Sequence, residues 1–376
     1  MNRLADQVPV MIQTVSTQKP YDTAIVGAGI LGLWAARHAI KRGERVIVIE
    51  KRSVGAGASG GFLGALMPHM PDNWNAKKQF QYDGLDSLAD VIAALEEETG
   101  LDCGYRRCGR VMPLTHEKVL PQVDRRLAGA LSNWDSKYQM SVSAADSDCN
   151  WLDPDFASFG VQHDTLAARI NPRAYLAALE SYVRHRADLL EGCGVVSVNM
   201  SAADGEVVLL NGDSFRAQTV VIANGWEAYP LLQSYLGPIN NEESIGRGVK
   251  GQAVLLNHLH NDDLPIVYHD GSYVVPHAGN RVAIGSTSIN NWTGEPHAVD
   301  LHDMDFYHKA VELVPALKDA EVVYQWAGVR PRNTLKGRGT APWFGPVPEY
   351  NNLIALIGGF KITLGVAHIC SRTLQI

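Results

Sequence analysis

A glycine turn between a buried strand and a helix constrains this chain more than any other feature. It lies in Tyr21–Lys51, YDTAIVGAGILGLWAARHAIKRGERVIVIEK. Ala24, Ile25 and Val26 form an apolar run suited to a strand covered on both faces. Gly27, Gly29 and Gly32 then give G-x-G-x-x-G at the strand-to-helix junction. The first glycine permits the turn, the second lets a pyrophosphate approach the backbone, and the third lets helix and strand pack closely. The helix start supplies N–H groups and a positive dipole end for phosphates. Leu33–Arg42 has a helical pattern that Gly43 stops, and Val46–Ile49 reads as a second strand ending at Glu50. An acid at that point suits ribose hydroxyls and repels a 2′-phosphate, which disfavours NADP. The motif does not by itself separate FAD from NAD.

Composition narrows the class. The chain has 376 residues, 46% hydrophobic and 19% charged, with net charge −7. That balance gives no electrostatic footprint for nucleic acid or anionic membrane. Residues 1–20 are polar and mixed, without the apolar core of a signal peptide, and are expected to be a flexible extension. No apolar run is long enough to span a membrane. Five cysteines (Cys103, Cys108, Cys149, Cys193 and Cys370) include no C-x-x-C pair, which points to reduced thiols in the cytoplasm. The histidines show no metal-ligand spacing, so no metal is expected.

Beyond Glu50 the small-residue run Gly55–Gly61 reads as a loop, and Gln79–Glu98 as a long helix with a core-facing stripe. Arg110–Leu114 reads as a strand and Lys118–Trp134 as a helix. Arg169–Asp188 reads as a helix that Asn171 caps and Pro172 begins. Val195–Val198, Glu206–Leu210 and Thr219–Ala223 read as strands, the last opening into Asn224-Gly225. Short alternating strands follow at Gly251–Leu256, Ile266–Tyr268, Ser272–Pro276 and Arg281–Gly285, the texture of an antiparallel sheet. His302–Leu313 reads as a helix and Leu353–Leu356 as a strand. Gly358-Gly359 then turns into a final helix that stops at Ile376, where a trimmed terminus is expected. The fold class is α/β (α+β overall). A Rossmann-like cofactor domain is built from 21–100, 155–236 and 324–376. A second, antiparallel-sheet substrate domain is built from 101–154 and 237–323.

Taken together, the motifs resemble the D-amino-acid oxidase/glycine oxidase family of FAD-dependent amine oxidases. The resemblance rests on GAGILG, GASGGFLGA, VVIANGW, VKGQAV, YHDGSYVVPHAGNRVAIGST, WAGVRP and GGFKITLG, in that order. GASGGFLGALMP and ANG also resemble the oxidase domain of a bifunctional tRNA-modifying enzyme, and GGFKITLGVAH resembles the tail of monomeric sarcosine oxidase. The resemblance implies a glutathione reductase-type cofactor domain with FAD. It places Ile30 and Leu31 at the phosphate turn and Glu50 and Lys51 near the adenosine ribose. Ala58, Ser59, Gly60, Gly61 and Phe62 fall beside the flavin, and Val195 beside the adenine. It adds Ala223, Asn224, Gly225 and Gly328 to the cofactor wall. Gly359, Phe360, Lys361, Ile362, Thr363 and Leu364 fall at the flavin's pyrimidine edge. No cysteine follows Arg330 at the sarcosine oxidase tether position, so the FAD is expected to be non-covalent.

By the same resemblance Arg330 grips a substrate carboxylate, where a guanidinium can form two parallel charge-assisted bonds. Tyr268 and Tyr273 are candidate donors to the substrate, and Lys361 a candidate second cation. Phe62 and Ser288 stand where glycine oxidase has methionines, and Gly271 and Gly359 where it has histidines, so the substrate pocket is reshaped. The implied reaction is oxidative deamination of a small amino acid or N-substituted glycine. A hydride passes to the flavin, and O2 or another acceptor takes the electrons. Alternatives left open are an amine dehydrogenase serving a quinone or protein partner, a tRNA-modifying carboxymethylamine oxidase, and a flavin-binding assembly subunit. The family habit also allows a homo-oligomer.

Overall fold

The computed structural model describes residues 20–144, 151–236, 244–300, 304–334 and 341–372. The expected extension 1–20 lies almost wholly outside them, as do Cys149 and the end of the chain. Two eight-stranded sheets organise the rest.

The first sheet is centred on Tyr21–Val26, which pairs in parallel with Val46–Ile49 on one side and Ser214–Ile222 on the other. Asp188–Leu190 and Tyr350–Ile357 extend it in parallel, and Trp343–Val347 closes that edge antiparallel. A meander of Val195–Met200, Gly205–Leu209 and Ser214–Ile222 branches from it. Ala24, Ile25, Val26 and Val46–Ile49 are buried because both faces are covered. The helices Ile30–Lys41, Ala76–Thr99, Pro172–Arg184 and Thr363–Arg372 contribute to the core on one face. The meander and Ala228–Gln233 build the core on the other.

Local chemistry explains the element ends. Asn171 caps its helix as expected, its side chain accepting from the Arg173 and Ala174 N–H groups. Gly100 ends the long helix in a left-handed conformation at φ 70°. The glycine motif is enforced by contact. Gly27 sits at φ 103°, and a Cβ at Gly32 would lie 1.9 Å from the Gly27 carbonyl oxygen.

The second sheet runs Glu321–Asn333, Gly246–Asn257, Arg281–Gly285, Ser272–His277, Ile266–His269, Arg110–Pro113, Val161–Asp164, Met140–Ser143. Its pairs are antiparallel except Ile266–His269 with Arg110–Pro113. Asp305–Leu313 packs over one face. The other face meets the loop carrying Phe62.

Two segments differ from the division read in the sequence. Glu321–Asn333, expected from 324 onward in the cofactor domain, pairs along its whole length with Gly246–Asn257. Val161–Asp164, also assigned there, pairs between Arg110–Pro113 and Met140–Ser143. The helix expected over Arg169–Asp188 runs only over Pro172–Arg184, with Arg169 in the short strand Ala168–Arg169 and Asp188 in the strand Asp188–Leu190. Three residues are too few to show a strand's alternation in the sequence.

Candidate active site

A cavity of about 920 Å³ is lined by loops and strand ends of both sheets. Gly27, Gly29, Ile30 and Leu31 line it at the glycine turn. Gly29 caps the helix Ile30–Lys41 without a side chain, so beyond the Ile30 N–H the first turn keeps backbone donors that no capping side chain takes. The Ile30 N–H donates to Ser59 Oγ at 3.0 Å, which holds the Gly55–Gly61 loop against the turn. Glu50 ends its strand at the cavity wall. Its carboxylate accepts from the Ala28 N–H at 2.9 Å and the Arg52 N–H at 3.0 Å. Lys51 pairs with Glu227 at 3.1 Å, and Val195, Ala223, Asn224 and Gly225 line the same end. Asn224 Oδ1 is buried without a hydrogen-bond partner, an acceptor left for a ligand.

Ala58, Ser59 and Gly61 line the middle of the cavity, and Phe360, Lys361, Ile362, Thr363 and Leu364 line it at the start of the last helix. Four expected glycines act behind the wall. Gly32 receives the Gly27 carbonyl, and a Cβ at Gly60 would meet the Gly55 carbonyl oxygen at 2.2 Å. Gly328 makes room for the Trp326 ring, which does line the cavity, and Gly359 abuts Thr363. The Phe62 side chain turns away from the place expected for it. It packs into the core of Ala253, Ile266, Val275 and Ala283, edge-on to Tyr324 at 5.8 Å.

The far end gathers the four candidate substrate residues. Tyr268 and Tyr273 face each other directly across the hairpin Ile266–His269/Ser272–His277, with ring centroids 4.9 Å apart. Opposed residues of a pair share a face, so one register sends both phenols into the cavity. Arg330 comes from the edge strand Glu321–Asn333. Its guanidinium donates to Ser286 Oγ at 3.1 Å and to the Thr287 carbonyl, and lies over Phe360 at 5.3 Å. Its Nε is buried without a partner. Gly251, on the neighbouring strand, leaves the space that guanidinium fills, since a Cβ there would lie 2.1 Å from Nη2. Lys361 Nζ stands 5.4 Å from the Tyr273 ring centroid. No described carboxylate is within ion-pair distance of Arg330 or Lys361.

Burial sets the electrostatics. It pushes Arg330 down to about 10, partly opposed by Tyr273. Lys361 goes down to about 8, through burial first and the Arg330 charge second. The exposed surface of Lys361 opens into the cavity, so the surrounding protein still strips much of its hydration. Burial raises Tyr273 to about 12, leaving the phenol protonated at neutral pH.

Sequence reasoning missed Arg110, Arg126 and His69, which also line this end. Arg110 is buried and pairs with Asp164 at 2.6 Å. A charged residue opening the apolar run Arg110–Leu114 was the available signal. Arg126 sits in a polar helix and His69 in a loop, with nothing local to mark either.

A bare helix start, an acid at the strand end and an orphaned acceptor in a long cleft fit a dinucleotide. Comparison with known proteins agrees. The family described as FAD dependent oxidoreductase (DAO) matches residues 22–373. A glycine oxidase from Geobacillus kaustophilus (strain HTA426) is 29% identical over 361 residues, covering 91% of this chain and 88% of the relative. The crystal structure of glycine oxidase from Geobacillus kaustophilus superposes with TM-score 0.83 at 24% identity, over 94% of this chain and 92% of the other. That of iminodiacetate oxidase (IdaA) from Chelativorans sp. BNC1 gives 0.81 at 20% identity, over 94% of each.

Proposed function

We propose, from the premise that this chain belongs to the DAO family of FAD-dependent oxidoreductases, that it oxidises the C–N bond of a small amino acid or N-substituted glycine. FAD is its cofactor. The observation that carries the substrate reading is Arg330. It is a recessed guanidinium beside two tyrosines and Lys361, with no described carboxylate partner, in the same cavity as the nucleotide cradle.

The glycine turn and the start of Ile30–Lys41 would hold the pyrophosphate, Glu50 the ribose and Val195 the adenine. The backbone of 359–365 would serve the flavin ring. When bound, FAD supplies the two-electron acceptor that amino-acid side chains lack. The chain's residues do the rest. Arg330 fixes the substrate carboxylate by charge-assisted bonds, which orients the α-carbon and removes rotational freedom before reaction. Tyr273 and Tyr268 offer O–H donors to the same carboxylate, or acceptors to the amine. The cationic, water-poor wall made by Arg330 and Lys361 lowers the pKa of a bound amine, so it loses its proton without a dedicated protein base. We take dioxygen as the electron acceptor.

Cys103, Cys108 and Cys193 are free thiols, which supports a cytoplasmic placement. No described helix is long and apolar enough to cross a membrane. The cofactor unit is taken as the first sheet with its helices, and the substrate unit as the second sheet.

Anaerobic mixing of the FAD-loaded protein with glycine, sarcosine, other N-substituted glycines and D-amino acids tests the reading. Absorbance is followed near roughly 450 nm, the oxidised-flavin band. Bleaching by a carboxylate-bearing amine supports it, and recovery on admitting air identifies dioxygen as acceptor. No bleaching by any of them sinks the small-substrate reading.

A pH dependence follows from Lys361. A lysine held near 8 keeps its charge below that pH and loses it above. Carboxylate capture is therefore strongest below about 8, and kcat/KM for a carboxylate amine falls as pH rises through it. Lys361→Met should lack this falling limb. An identical limb in both proteins would assign it to another group.

A further inference from the structure

The substrate end of the cavity carries more positive charge than one carboxylate can use. Arg110 is neutralised by Asp164 at 2.6 Å. Of the described acids on the cavity wall, Glu50 is tied to the Ala28 and Arg52 N–H groups and Glu227 to Lys51, both at the nucleotide end. That leaves Arg330, Lys361 and Arg126 without a described carboxylate within ion-pair distance.

Arg126 is built in rather than stray. It projects from Leu120–Asn133 and donates through Nη1 to Oε1 of Gln162 at 3.1 Å. Gln162 is fully buried in the second sheet and so fixes the guanidinium with a neutral partner. Arg126 Nε is buried and has no partner at all. The acid that acts on it electrostatically, Asp72, is shared with Lys78 at 3.9 Å. His69, on the same wall, is kept neutral at pH 7 by burial and by the neighbouring Lys77, Lys78 and Arg110, so it adds no charge. Lys361 stands over the Tyr273 ring and Arg330 acts electrostatically on that phenol, whereas Arg126 lies within electrostatic range of Tyr268.

We propose that this chamber takes an amine bearing two carboxylates, Arg330 with Lys361 holding the first and Arg126 holding the second. The proposal rests on the amine-oxidation reading above and names its substrate class. A desolvated guanidinium and a desolvated carboxylate are each costly alone and offset each other when paired. A monocarboxylate such as glycine or sarcosine leaves Arg126 unpaired, whereas a dicarboxylate satisfies it.

The test uses the FAD-loaded protein and two probes with sulfur in place of the amine nitrogen: thiodiacetate and (methylthio)acetate. Binding is read from the perturbed flavin spectrum. Thiodiacetate should bind at least tenfold more tightly, an advantage that collapses in Arg126→Gln and returns in part in Arg126→Lys. Turnover then places the second carboxylate. Iminodiacetate carries it on nitrogen, and aspartate and glutamate of either hand carry it on the α-carbon. Each is compared with sarcosine and glycine. Equal wild-type affinity for the two probes, or equal weakening of both in Arg126→Gln, overturns the second site. Flavin reduction by sarcosine or glycine would still uphold amine oxidation in that case. Preferential thiodiacetate binding without reduction by any amine upholds the site and overturns the reaction.

Discussion

Replacing Arg330 by methionine should lower kcat/KM for a carboxylate-bearing amine by about 10²–10³-fold, with FAD content unchanged. The lost guanidinium makes up to two charge-assisted bonds to the carboxylate, each worth about 1.5–3 kcal/mol, and about 1.4 kcal/mol is a factor of ten. The upper end of that sum is not reached, because Lys361 remains on the same wall and holds part of the field. Methionine fills similar volume under the Phe360 ring and leaves no buried charge, so the fold does not suffer for the loss. Arg330→Lys keeps the charge but gives up the planar fork, and should fall between wild type and Arg330→Met. The control is an amine without a carboxylate. Its turnover should change little between wild type and Arg330→Met, since the lost contact was never made. Steady-state kinetics on both substrates decide the matter. An equal drop on both would show that Arg330 shapes the cavity rather than gripping a carboxylate.

How much of this site could be read from the chain depends on how local each constraint is. The glycine turn was legible because its reasons lie within a few residues: Gly32 must clear the Gly27 carbonyl, and Gly29 must leave the helix start bare. The tyrosine pair was legible as two short alternating strands, since a hairpin between Tyr268 and Tyr273 brings its own partner. The sheet that Arg330 belongs to was not. Glu321–Asn333 pairs with Gly246–Asn257, and no local pattern says which of two sheets will accept a returning strand. Phe62 shows the opposite error. Its neighbours Ala58, Ser59 and Gly61 do line the cavity, yet its own large apolar ring gains more from the core beneath the second sheet. Arg126 carried no sequence signal, because what distinguishes it from a solvated helix arginine is the distant Gln162 that orients it.

Gly27→Ala should give a protein that folds poorly and does not retain FAD. The residue sits at φ 103°, which an alanine adopts only with strain. The added Cβ would lie 2.6 Å from Asn224 Cα and 2.8 Å from the carbonyl carbon and oxygen of Ala223. All three are backbone atoms at the end of a central strand, so no side chain can swing aside. Tyr21–Val26 and Ser214–Ile222 would have to part where they pair most deeply, at Val26 and Ile222. Strain and overpacking together cost about 3–5 kcal/mol, a large part of a domain's total stability. The displaced atoms belong to Ala223 and Asn224, which line the nucleotide end, so cofactor affinity should fall with stability. Gly43→Ala separates the two causes. Gly43 also has a left-handed φ, 82°, but a Cβ there meets nothing within 4 Å. That variant should lose only about 1 kcal/mol and keep its flavin. Flavin absorbance per protein and a thermal melt, run on both variants, give the comparison. A Gly27→Ala protein that keeps full flavin and melts with Gly43→Ala would mean that the strand crossing yields, and that the first glycine of the motif is not what seats the cofactor.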